Sequence, residues 1–143
     1  MDTNRRITEK LLRYWLKLRS DKQFPNESEL DIDHLSDIWD SCFLVEMRSP
    51  GVFRYNYLGR NLIEAYGGDV TNEEISKKLV SPYTERVAKK FAEVVAARKP
   101  IKDDAEFIDS KNLQIKYRQI LLPLGDSTGE LKYILGGMRW KHF

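Results

Sequence analysis

An internal disulfide is excluded from the outset, because Cys42 is the only cysteine among 143 residues. A lone thiol suits a reducing compartment, so a cytoplasmic setting is expected. Long apolar runs are missing as well: runs such as residues 42–45 and 120–122 fall far short of the about 20 residues a bilayer-spanning helix needs. No membrane contact is expected, and the absence of an apolar stretch before Leu11 argues against a secretory leader. Histidine is scarce, and His34, His142 and Cys42 form no zinc-ligand spacing. The GxSxG, Walker A and GxGxxG patterns are absent, as are internal repeats and low-complexity tracts. The length suits one domain and is too short for two with a linker.

Charge is plentiful, at 32% of residues, and it is unevenly placed. Residues 1–24 hold Arg5, Arg6, Lys10, Arg13, Lys17, Arg19 and Lys22, whereas residues 25–47 hold acids (Glu27, Glu29, Asp31, Asp33, Asp37, Asp40 and Glu46) and no Lys or Arg. Two oppositely charged solvated faces that attract each other across the fold account for this better than a nucleic-acid surface, which would need a longer aromatic and basic stripe. Nucleic acid is therefore not the expected partner.

Apolar spacing then sets the elements. Ile7, Leu11, Trp15 and Leu18 mark one face of an amphipathic helix over about residues 4–19, followed by an extended connection to residue 31. Asp33 is expected to cap a short helix carrying Leu35, Ile38 and Trp39. A strand over 42–48 meets the type II turn signal Ser49-Pro50-Gly51-Val52 and a return strand over 52–58. In residues 53–68 the period changes: Phe53, Tyr55 and Tyr57 alternate as on a strand, and Leu62, Ile63 and Tyr66 recur as on a helix that stops at Gly67 and Gly68. Thr71 and Glu74 have capping-box spacing for another short helix with Ile75 and Leu79. Ser81 and Pro82 start a longer one, with Val87, Phe91, Val94 and Val95 on one face, that ends before Pro100. Strands over 103–109, 113–122 and 131–140 complete an α+β chain whose antiparallel sheet is covered by the central helices. The expected organisation is a helix and connection over 1–32 and a domain over 33–143.

This order of elements resembles the PAS fold. More closely, the chain resembles short bacterial single-domain PAS proteins, through Trp15, Phe43-Leu44-Val45-Glu46, the run FRYNYLG followed by Leu62, Ile63, Glu64 and Gly67, then Asp69, Thr71, Lys99-Pro100, Leu121-Leu122-Pro123-Leu124 and Gly136. Two positions depart from that pattern: Asn72 stands where Gly usually follows the Thr, and His34 where Pro often follows the Asp. The resemblance implies a five-stranded sheet in the order 2-1-5-4-3, helices enclosing a cavity on one face, and the N-terminal helix on the other face or against a second subunit. It also implies a sensory or interaction module, read here as having no output domain of its own and as acting on a separate signalling protein.

The chemistry expected of such a cavity is recognition. Flavin photoreceptors of this fold use a cysteine on a helix beside the cavity, whereas Cys42 begins a strand and reads as buried filler. Haem needs an axial ligand, and neither histidine lies on the helix over 82–98. No cofactor is assigned. Tyr55, Tyr57, Tyr66, Phe91, Tyr117 and Gln119 are the candidate ligand contacts, with Leu113 and Ile115 on the same strand face as Tyr117; hydroxyl and amide groups in an apolar lining are what a small-molecule site requires. Leu11, Trp15, Leu18, Ile120 and Leu122 are the candidate interface, because Ile120 and Leu122 point away from Gln119 and Leu121 and something must cover them. The helix packs there either within its own chain or across a two-fold as a homodimer. The competing class is a small α+β enzyme with a cone-shaped cavity and an acid such as Asp69.

Overall fold

The computed structural model describes residues 3–66, 69–75, 82–108 and 112–142. The first helix, α1 (Thr3–Arg19), is followed by short 3-10 turns over Glu27–Glu29, Ile32–Leu35 and Trp39–Ser41. Strands β1 (Cys42–Ser49) and β2 (Val52–Leu58) form the expected hairpin, and Gly51 supplies the positive φ of 77° that its turn requires. Helix α2 (Arg60–Tyr66), a two-residue strand β3 (Glu74–Ile75) and helix α3 (Pro82–Ala97) lead to the meander of β4 (Ile101–Ile108), β5 (Gln114–Gly125) and β6 (Leu131–His142).

The sheet order is β3-β2-β1-β6-β5-β4. The five expected strands thus lie in the expected order, and β3 is added at the free edge of β2, where Phe53 pairs with Ile75 and Arg54 with Glu74. That addition corrects the short helix expected from Thr71 and Glu74. Thr71 is not a helix cap: its N–H and hydroxyl both donate to Asp69 Oδ1 (2.9 and 2.5 Å), and Asn72 takes φ 69° while its N–H donates to the Tyr55 carbonyl. The position where the resemblance expects glycine is thus left-handed, and asparagine is the side chain that tolerates such backbone best. Leu79, Ser81 and the glycine pair 67–68 lie outside the described residues. A smaller correction concerns the acidic connection, where Asp31 rather than Asp33 is the cap and accepts from the Asp33 N–H at 3.1 Å.

Two apolar layers flank the sheet. On the outer face α1 lays Ile7, Leu11 and Trp15 over Ile120, Leu122 and Leu135, and Trp15 Nε1 donates to the Pro123 carbonyl at 2.8 Å. On the inner face α3 lays Val87, Phe91 and Val94 over Phe43, Val45, Tyr55 and Leu121. Adjacent glycines in β6 make room for both. A Cβ at Gly136 would meet the Phe43 ring at 2.0 Å, and one at Gly137 would meet Leu11 at 2.9 Å. Across the charge asymmetry, Lys10 pairs with Asp37 and Lys22 with Glu29.

Candidate functional site

The inner face holds an aromatic floor and a charged end. Phe91 projects from α3 onto the sheet, its ring centroid 5.3 Å from Phe53 and 6.2 Å from both Tyr55 and Phe43. These four rings are almost fully buried and pack edge to face or tilted, the arrangement their quadrupoles favour. From the residue immediately before Phe91 and from one turn earlier still, the same helix presents Lys90 and Arg86 toward β4.

There they meet Asp103, whose side chain is only 4% exposed. Arg86 Nη2 donates to Asp103 Oδ1 at 2.7 Å, and Lys90 Nζ lies 3.8 Å from the same oxygen. Gln119 Nε2 donates to Oδ2 at 3.0 Å, and the Tyr117 hydroxyl donates to Oδ2 at 3.4 Å while accepting from Arg86 Nε at 3.3 Å. A buried carboxylate is tolerated only when its lone pairs are used in this way. The hydrogen bond with Tyr117, reinforced by the nearby Asp103 charge, raises the pKa of Arg86 further and keeps it protonated. The network joins α3 to β4 and β5.

Of the residues expected to line a cavity, Tyr55, Phe91, Tyr117 and Gln119 meet on this face. Tyr57 does not. Val45 pairs with Tyr55 but Leu44 with Tyr57, so Asn56 is an extra residue in β2, and the bulge turns Tyr57 to the outer face. There its ring stacks on Trp39 at 4.5 Å and its hydroxyl donates to the Trp39 carbonyl. Tyr66 ends α2, and its side chain lies outside the described residues. Ile115 is fully buried, whereas Leu113 precedes β5 and is exposed, which corrects their shared strand face.

Asp103, Arg86 and Lys90 are not singled out by composition or motif. A signal exists nonetheless: Ile101, Asp103 and Ala105 alternate onto one strand face, and Arg86 and Lys90 lie four apart beside Val87 and Phe91.

Leu11, Trp15, Ile120 and Leu122 lie in one buried cluster, while Leu18 is only half-buried and does not belong to it, so α1 packs on its own chain through the first two. Cys42 belongs to this outer cluster, with Sγ donating to the Ile38 carbonyl at 3.3 Å, and burial pushes its thiol pKa up to about 12. A flavin adduct does not fit, because that thiol and α3 are on opposite faces of the sheet. His34 is exposed beside Tyr14, and among the described residues no group of three or more His, Cys, Asp or Glu is placed to hold a metal ion. Asp69 is solvent-exposed, its pKa lowered by its hydrogen bonds from Thr71, so its carboxylate serves a turn. The other buried acid among the described residues, Glu46, bridges β1 and β2 on the outer face, held by Asn56, Arg48 and Arg54. Its hydrogen bond from Asn56 is the largest of the effects that lower its pKa.

A sheet in the order β3-β2-β1-β6-β5-β4 with α3 over its inner face is the arrangement of a PAS domain, the class of sensory module the sequence resembles. A family model described as a PAS domain matches residues 3–139, and the chain belongs to that family. The match includes α1. Solved structures of the same fold include a variant of the fungal photoreceptor VVD, at 12% identity with TM-score 0.57, over 90% of this chain and 92% of that one. The light-state structure of the blue-light photoreceptor Aureochrome1 LOV aligns at 11% identity with TM-score 0.53, over 76% of this chain and 86% of that one. The PAS domain of BvgS from Bordetella pertussis is 22% identical over 68% of this chain and 72% of that one, with TM-score 0.47. Comparison with curated protein sequences gives no match. No described helix is long and apolar enough to cross a membrane.

Proposed function

We propose that this PAS domain is a cytoplasmic sensory or interaction module in which a change beneath α3 is passed to a separate signalling protein. The observation that carries this reading is the Asp103 network. It is the polar seam between the covering helix and the sheet, and it adjoins the aromatic floor. Tyr55, Phe91, Tyr117 and Gln119 are the proposed contacts for a small ligand, and Arg86 and Lys90 join them from α3.

A ligand here acts by binding one arrangement of α3 better than another, and it shifts the population only by that difference in affinity. No bond need be made or broken. A partner protein that contacts α3 then reads the shift. The test is native mass spectrometry of freshly purified protein, followed by a thermal-shift screen of any molecule extracted from it. A ligand at a hundred times its Kd stabilises the fold by about 2.7 kcal/mol and is recovered unchanged. A protein that carries no molecule, or no thermal response to the molecule extracted, would sink the ligand-sensing reading, and consumption of the molecule would replace it with an enzyme.

A further inference from the structure

Two of the basic residues before residue 25 find their acids in the following segment, Lys10 with Asp37 and Lys22 with Glu29. Arg19 does not. Its Nε is buried with no hydrogen-bond partner, and its Nη1 reaches only the Lys22 carbonyl at a long 3.4 Å. Its guanidinium is held over the Trp15 ring, 5.5 Å from the centroid.

Beside it, the turn from α3 into β4 brings Arg98 and Lys99. These cations share a concavity of about 360 Å³ with Arg19 and Gln23, alongside apolar Trp15, Leu16 and Pro100, and among the described residues no carboxylate lines it. Arg98 is oriented by stacking on Phe24 at 5.1 Å and by a hydrogen bond from its Nε to Gln23 Oε1 at 3.2 Å. Its backbone takes φ 57°, a left-handed conformation uncommon for a long side chain. A cation at a helix C-terminus is ordinary, and both α1 and α3 end here. A buried guanidinium N–H without an acceptor is not ordinary, because burial removes its water and gives nothing back.

We propose that this concavity is an anion site that takes a phosphate group. A phosphate monoester carries between one and a half and two negative charges near neutral pH, which offsets much of the charge of the three cations, and the planar donors of two arginines suit its oxygens. Arg19 supplies a guanidinium at the wall of the concavity, Arg98 and Lys99 the flanking charge, and Leu16 and Pro100 an apolar shelf for an ester's carbon portion. The site stands apart from the Asp103 network and does not depend on it.

The test is a titration of the full chain with inorganic phosphate and with phenyl phosphate, following the Arg19 Nε–H resonance and the Trp15 indole by NMR. Saturable shifts at millimolar ligand are expected, beyond those from sodium chloride at matched ionic strength. Tighter binding of phenyl phosphate assigns the source as an ester, and equal binding assigns it as free phosphate. Arg98→Ala weakens either by about tenfold or more, Lys99→Gln weakens it too, and Arg60→Ala, at the exposed pair with Asp40, leaves it unchanged. An Arg19 signal that does not move, a response equal to that of chloride, or undiminished affinity in both site variants overturns the proposal.

Discussion

Gly136 and Phe43 are partners in the β1–β6 ladder, and the ring lies flat where a side chain at 136 would be. Phe43 is 1% exposed and has no room to withdraw. Gly136→Ala is therefore expected to destabilise the fold by about 1–3 kcal/mol, as overpacking does, read from the urea midpoint; an unchanged midpoint would contradict the packing described. The thiol of Cys42 makes a prediction in pH. Its pKa is raised to about 12, chiefly by burial, with the Asp37 charge adding. The folded chain keeps a proton that the unfolded chain releases above about 8.5. Its contribution to stability is thus complete below that value and is lost as pH rises toward the folded pKa. Tyr57 and Tyr133 are also raised by burial and act with the same sign. Denaturation of Cys42→Ala between pH about 8 and about 10 should show a shallower loss of stability than the natural chain, and parallel curves would exclude the effect. Residue-level outcomes of this kind are hard to read from sequence, because Cys42 as apolar filler follows from its neighbours but Gly136 needs the partner strand.

At the scale of elements, the seam between α3 and β4 rests on one carboxylate. Asp103→Ala leaves Arg86 and Lys90 facing an apolar gap, and a loss of about 1–3 kcal/mol is expected. The lower part of that range is favoured, because Arg86 is 39% exposed and regains water. A double-mutant cycle with Arg86→Ala should give a nonzero coupling; strict additivity would mean that the pair is incidental. Hydrogen exchange should rank the strands as well, with β5 and β6 amides slowest and the two-residue β3 among the fastest. Protection of Ile75 equal to that of Leu121 would count against this order. The strand at 74–75 illustrates what local spacing misses. Thr71 and Glu74 have the separation of a capping box, yet the Asx turn at Asp69 and the open edge of β2 claim the backbone instead. Long elements such as α1, β5 and β6 suffer less from this competition, because their periodic faces outweigh any one cap.

On the whole-molecule scale, α1 shares a buried cluster with β5 and β6 rather than standing apart as an extension. Unfolding should accordingly be one transition. The midpoint from Trp15 fluorescence, isolated by replacing Trp39 and Trp140 with Phe, is expected to coincide with the far-ultraviolet circular dichroism midpoint of the same variant. An earlier loss of the Trp15 signal would mean that α1 detaches first. Trp15→Ala should lower global stability by about 3–5 kcal/mol, since it removes a buried ring and its hydrogen bond to Pro123.

The sequence by itself determined the order and periods of the long elements, the hairpin at Pro50-Gly51, the two-faced character of β5 and the PAS resemblance. All of these are carried by residues close along the chain, where hydrophobic period and turn chemistry act. Only the tertiary structure decided that Tyr57 leaves the face of Tyr55, that α1 closes on its own sheet, and that Asp103 finds Arg86, Lys90, Tyr117 and Gln119. Each depends on a meeting of residues distant in sequence: a bulge is defined by its partner strand, a covering helix by the face left open, and a buried charge by the groups that satisfy it.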